Sequence, residues 1–305
     1  MKKLLLSLAL STASLLISPS AFAGPGESDG NTGNDCNTAV GSCPVTPTKF
    51  SVKLYKVALC TSNPMADRTA LDWTGNGCVD VYNSTDGEET GDIFSATGAT
   101  LTAANITIPA AGTYEYVAAL FDKDFKVGSH HMVYAAAGDP INDKRYVSTT
   151  SGGAAEGTSS DVQMVSGNFS SFMPQISCNG TWTTAAAVSR SSTTTGIIGD
   201  FLSGGETFYG RILDSSYEVP STAGGSISSN PASGTCIGAK YLLSIVDKTT
   251  EISSTTTGLH IKILAGKGLI RANQGNSEDE DYVAGVVTEF TAHGDGMAVK
   301  VVPIE

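Results

Sequence analysis

Apolar residues in this chain recur at every second position or in short unbroken runs, and both patterns predict β-strands. The longest run follows Pro109 and Gly112: residues 113–121 read Thr-Tyr-Glu-Tyr-Val-Ala-Ala-Leu-Phe, and Phe125-Lys-Val127 continues it beyond Asp122-Lys-Asp124. Tyr114, Tyr116, Ala118 and Leu120 fall on one side, with Thr113, Val117, Ala119 and Phe121 on the other. Glu115 is the only charge before Asp122. Two apolar faces mark a strand with neighbours on both edges and a layer against it, so this segment is expected at the centre of a sheet.

The segment 50–60 is expected to be a strand of more complicated register. Phe50, Val52 and Leu54 alternate, and then Tyr55, Val57 and Leu59 take the opposite parity. Either both faces are buried or a bulge falls near Lys56. Residues 78–82 predict another strand, 86–92 an acidic turn, and 130–137 a hairpin partner to the central strand. In the second half, short β-type runs at 162–165, 171–178, 196–201, 206–213, 236–247, 259–265, 282–291 and 297–304 are separated by Gly, Ser, Thr or Asn clusters. Residues 241–248 are the nearest to a helical pattern, and no capped amphipathic helix of a dozen residues stands out.

Many short strands, frequent turns and little helix predict an all-β fold with sheet-on-sheet packing. The expectation is one large or two packed antiparallel β-sandwiches with long Ser/Thr/Gly-rich loops, stapled by disulfides. The division expected is residues 1–23 as a signal peptide, 24–48 as a flexible N-terminal arm, 49–150 as a β-sandwich domain, and 151–305 as a second β-rich domain or sheet extension. The Gly/Ser/Thr/Ala-rich stretch 151–160 supplies the boundary.

The leader reading rests on a basic start at Lys2-Lys3, an apolar run over residues 4–17, and the A-x-A cleavage signal Ala21-Phe-Ala23. No later stretch approaches the roughly 20 apolar residues that span a bilayer, so no membrane span is expected in the mature chain. Cleavage removes two lysines and no acid, which leaves the mature chain two units more acidic than the formal −12 of the whole. Such a charge disfavours nucleic acid and anionic membranes as partners. The expected location is the periplasm, cell surface or extracellular space of a Gram-negative bacterium.

Export changes the meaning of the cysteines. Cys36, Cys43, Cys60, Cys78, Cys178 and Cys236 are even in number, lack a C-x-x-C spacing, and reach an oxidising compartment, so they are expected in disulfides rather than as metal ligands. Their order suggests local pairs, Cys36 with Cys43, Cys60 with Cys78 and Cys178 with Cys236, with the other connectivities open.

The search for chemistry finds no nucleophile elbow, zinc helix, P-loop or dinucleotide fingerprint. His130 and His131 are adjacent in an extended segment and point to opposite faces. Asp122 and Asp124, at i and i+2 of the central strand, share a face and are the weak calcium candidates. Their surroundings depart from a calcium loop, because Val127 stands where that loop needs glycine. No other cofactor is expected. Trp73, Trp182, Tyr82 and Tyr217 lie in loop-like contexts and are the aromatic candidates for a sugar surface, against the plainer reading that they pack on disulfides.

The pattern Ile108-Pro-Ala-Ala-Gly112-Thr-Tyr114 resembles the Pro-x-Gly-x-Tyr lead-in of transthyretin-like and related Ig-like sandwiches of exported bacterial proteins, with one extra residue after Pro109. Tyr55-Lys-Val-Ala-Leu-Cys60 with a later Cys78 is similar to uncharacterised exported Gram-negative proteins. The resemblance covers roughly residues 50–137; it implies a sandwich and supplies no active site. The function expected first is an exported, non-catalytic cell-surface or extracellular structural or adhesion protein, with itself, other surface proteins or glycans as partners. A carbohydrate- or small-ligand-binding module is the alternative, and an exported hydrolase the third.

Overall fold

The structure is a computed structural model that describes residues 16–17, 42–45, 47–66, 70–95, 99–133, 144–169, 207–218, 238–265, 269–273, 287–292 and 297–305. In chain order its strands are β1 (Leu16–Ile17), β2 (Ser42–Val45), β3 (Lys49–Cys60), β4 (Val79–Glu89), β5 (Ala99–Thr100), β6 (Gly112–Gly128), β7 (His130–Val133), β8 (Lys144–Ser148), β9 (Ala154–Glu156) and β10 (Val165–Asn168). They continue as β11 (Thr207–Leu213), β12 (Tyr241–Ile252), β13 (Gly258–Ala265), β14 (Ile270–Asn273), β15 (Glu289–Ala292) and β16 (Met297–Ile304). Only two short 3-10 turns accompany them among the described residues. The fold is all-β, and its strand pairs are antiparallel.

A six-stranded sheet in the order β11-β12-β6-β3-β4, with β10 also on β6, organises the molecule. The run from Gly112 is its central strand, as the two apolar faces predict. β3 and β12 flank it along most of its length. Because β10, β11 and β12 come from beyond residue 151, the second half of the chain extends the sheet begun by the first.

The parity switch in β3 is a bulge. Its register against β6 shifts between Val52 and Leu54 and again between Leu54 and Lys56. Phe50, Val52 and Leu54 therefore reach the same core as Val57 and Leu59 despite opposite parity. That core joins Val117, Ala119, Phe121 and Leu242 of the sheet to Ile261, Ile270, Phe290 and Val299 of β13, β14, β15 and β16. The Ser244 hydroxyl of β12 reaches across to donate to the Met297 carbonyl of β16 at 2.7 Å, satisfying two groups that the packing buries.

Several elements differ from the sequence reading. β7 pairs with β8 in a sheet with β9, not with the central strand, whose edges are already taken by β3, β10 and β12. β12, the helical candidate, is a strand because its run of apolar residues is buried on both faces. The acidic segment from Asp86 continues β4 as far as Glu89, with Gly87 at φ 69° accommodating an irregularity. Residues 42–45, placed in the flexible arm, form β2 on β14, where Val45 is buried in the core. Leu16–Ile17, within the apolar run expected to be a leader, pair with Ala99–Thr100 in the full-length chain.

Candidate functional site

The bulge in β3 also shapes the opposite face of the sheet. With Leu54 and Val57 both turned inward, the two residues between them, Tyr55 and Lys56, both face outward. Ordinary alternation on the neighbours brings Leu120 and Asp122 of β6, and Tyr241 and Leu243 of β12, to that same face. Tyr241 lies directly opposite Asp122, and Leu213 of β11 opposite Tyr241. The result is a transverse strip that runs from the end of β11 across β12, β6 and β3 to β4.

Aromatic rings form the strip. Tyr55 packs edge-on against Tyr241 with centroids 5.0 Å apart, and Tyr217 stacks on Tyr241 at 5.4 Å with the planes 17° apart. The Tyr55 hydroxyl donates to Asp122 Oδ2 at 3.1 Å. Partial burial, reinforced by that carboxylate, pushes the Tyr55 pKa up to about 12. At the β4 end, Gly87 makes room: a Cβ there would stand 2.8 Å from the Tyr55 ring and 2.9 Å from the Lys53 side chain. Lys53 reaches over the Tyr55 ring at 5.5 Å, Lys56 over Trp73 at 4.6 Å, and Lys240 over Tyr241 at 4.8 Å.

Tyr217 is the exposed member, at 39% accessibility, and its backbone is left-handed at φ 64°, the only such non-glycine among the described residues. A tyrosine is held there at a cost of order 1–3 kcal/mol only if its surroundings impose it. They do so through Asp214, whose Oδ1 accepts the amides of Ser216 at 2.7 Å and Glu218 at 3.1 Å, while the Asp214 carbonyl accepts the Tyr217 amide at 3.2 Å. The loop 61–78 braces the turn from outside, since the Leu71 amide donates to the Tyr217 carbonyl at 3.2 Å and Ala70 bridges Glu218. That loop is closed by the predicted disulfide between Cys60 and Cys78. It is further tied by Asp72, which accepts the Gly75 amide at 2.8 Å and donates its own amide to the Pro64 carbonyl at 2.9 Å.

The other sequence candidates are distributed as follows. Asp122 and Asp124 do share the outer face, but each is drawn into separate bonds: Asp122 Oδ1 accepts the Asp124 amide at 3.0 Å, and Asp124 takes Lys123 at 2.6 Å and the Asn168 side-chain amide at 2.5 Å. Among the described residues no group of three or more His, Cys, Asp or Glu stands close enough to hold a metal. Tyr82 is buried in the inner core, its hydroxyl on Glu88 Oε2 at 2.8 Å. Burial first, and then Glu88, raises its pKa strongly. Trp73 half-covers the outer cluster. Cys36, Cys178, Cys236 and Trp182 lie outside the described residues, as does the side chain of Cys43.

Sequence reasoning found Tyr217 and Trp73 but not Tyr55, Tyr241, Lys53 or Lys240, because these meet through strand register rather than spacing. Comparisons with known proteins return no matching family, no similar curated protein and no similar solved structure. The strip therefore has to be interpreted on its chemistry. It offers one exposed ring, Tyr217, stacked on the buried Tyr241, with Tyr55 edge-on beside it and ammonium and carboxylate groups at the margins.

Proposed function

We propose that the protein is an exported, non-catalytic surface or extracellular protein of the adhesion type, which binds carbohydrate through the tyrosine strip of its central sheet. The observation that carries this reading is the solvent-facing Tyr217, held in a strained conformation and stacked on Tyr241. Strain of that kind persists where a displayed side chain is used, and the apolar face of a pyranose ring packs well on a fixed aromatic ring. The neighbouring hydroxyls and charges suit the sugar's own polar rim.

Assembly by strand addition draws less support. The C-terminal strand β16 buries Met297, Ala298 and Val299 in the core, so it is held within the fold. β4, at the end of the large sheet, carries Asp80, Asp86, Glu88 and Glu89, a composition that discourages edge pairing. The test is affinity electrophoresis of the mature chain through gels that contain neutral or acidic polysaccharides. Retardation by at least one polymer, abolished in Tyr217→Ala with an unchanged circular dichroism spectrum, is the expected result. Free migration through the whole panel would overturn the proposal.

A further inference from the structure

The strip carries two lysines that are not spent on ion pairs. With 30 acidic residues against 18 Lys and Arg, carboxylates are in surplus, and a lysine has ample choice of partner. Lys56 and Lys123 follow that rule, paired with Asp80 at 2.7 Å and Asp124 at 2.6 Å. Lys240 and Lys53 do not. Among the described residues neither has a carboxylate within ion-pair distance, and each instead rests its ammonium on a ring of the strip. Asp122, the acid nearest the rings, has both oxygens engaged, by the Tyr55 hydroxyl and the Asp124 amide.

An ammonium on an aromatic face keeps its outward N–H groups available to a second partner, because the ring attracts it without consuming donors. Lys240 is exposed beside the Tyr217–Tyr241 stack; a hydrogen bond with the Tyr241 hydroxyl takes one of its N–H groups and raises its pKa, which favours the charged form and leaves two N–H groups for another partner. Lys53 takes the equivalent place on Tyr55, one ring further along, because Gly87 leaves the space free. Two cations thus flank a run of touching rings.

Resting on the sugar-binding reading above, we infer that the ligand is an acidic glycan, whose pyranose ring lies on Tyr217 and whose carboxylate or sulfate is met by Lys240, with Lys53 meeting a second anionic group along the row. The aromatic contact supplies the shape and the lysines supply the choice of charge. Selectivity then comes from attraction at Lys240 and Lys53, together with repulsion by the acidic remainder of the surface wherever an anionic chain strays from the strip.

The experiment is isothermal titration of the mature chain with three probes: a hexagalacturonate, its carboxyl-reduced neutral counterpart, and a sulfated galactan oligomer. One or both anionic probes are expected to bind about fivefold or more tightly than the neutral one, the scale of an exposed ion pair. Comparing the two anionic arms tells carboxylate from sulfate. The preference should shrink in Lys240→Gln and in Lys53→Gln, survive in Lys240→Arg, and weaken as salt is added. Equal or tighter binding of the neutral oligomer would overturn the inference while leaving the sugar-binding function intact, as would an undiminished preference in Lys240→Gln. Binding of none of the three would count against both.

Discussion

On its inner face the six-stranded sheet buries Val57, Leu59, Val117, Ala119, Phe121 and Leu242 beneath strands from distant parts of the chain. On its outer face it buries Ala58, Ala118, Leu120 and Leu243 beneath one disulfide-closed loop and three tyrosines, of which Tyr241 is buried, Tyr55 half-buried and Tyr217 exposed. The same strands serve both faces, with apolar side chains alternating between them. What differs is the cover: residues of β13, β14, β15 and β16 on one side, and polar-tipped rings with a loop on the other. A face sealed by other strands contributes stability and little else, whereas the face that carries Tyr217 leaves that ring open to solvent.

The comparison predicts a gradient of mutational cost. Phe121→Ala, in the inner core, is expected to cost about 3–5 kcal/mol in urea unfolding, from lost burial and the cavity left behind. Replacing Cys60 and Cys78 together by Ala should cost less, about 3 kcal/mol in the chain-entropy model, and should also weaken sugar binding because the loop no longer braces the Tyr217 turn. Retained binding in that double variant would separate the loop from the strip.

Gly87→Ala places a Cβ against Tyr55 and Lys53 at a residue with φ 69°, and about 1–2 kcal/mol of destabilisation is expected together with reduced binding. Tyr217→Gly sharpens the contrast further. It removes a stack worth about 0.5–1.5 kcal/mol but relieves the left-handed strain, so thermal stability should move by no more than about 1 kcal/mol while binding is lost. An inner-face residue offers no such separation of stability from binding.

A further contrast lies in alkaline titration. The folded-state pKa of Tyr55 is raised from 10.0 to about 12, so the proton is held more tightly in the folded than in the unfolded protein. The stability this contributes is complete below pH 10 and is withdrawn between pH 10 and 12. Ultraviolet titration should show one fewer late-ionising phenol in Tyr55→Phe than in the wild type. Glu88 behaves in the opposite sense. Burial pulls its pKa upward but is outweighed by hydrogen bonds from Thr102 and Tyr82, so its contribution is lost as pH falls through the lowered value.

Much of the architecture was legible in local pattern. The two-faced apolar run at 113–121 marked the central strand, and the parity switch at Tyr55 narrowed the reading to a bulge near Lys56 or burial of both faces. The interval from Cys60 to Cys78, with turn residues between, marked a disulfide. These are properties of neighbouring residues. The pairing of β7 with β8 rather than β6 was not legible, because an exposed hairpin and a separate small sheet carry the same short-range signal, and only competition for the edges of β6 decides between them.

The strip was half legible for the same reason. Tyr217 and Trp73 look like loop aromatics from sequence, and Asp214-Ser-Ser before Tyr217 is a side-chain-capped turn signal that marks where the ring is fixed. Tyr55, Asp122 and Tyr241 come together only when β3, β6 and β12 pair in their observed register. Nothing in the spacing of residues 55, 122 and 241 encodes that register; complementary burial on the opposite face does.

The position of β6 has a consequence for biogenesis. One of its edges is completed by β3, which precedes it in the chain, but the other is paired by β10 only over residues 124–127, and its apolar stretch over residues 112–122 waits for β12, which is made after residues 129–240. Throughout that interval of synthesis an apolar strand with unpaired amides is a target for adventitious partners, and its late closure makes folding slow and dependent on contacts remote in sequence. A chain truncated before Tyr241 is therefore expected to aggregate during expression, whereas the complete chain passes the same stage only if its nascent form is kept unpaired until the last strands emerge.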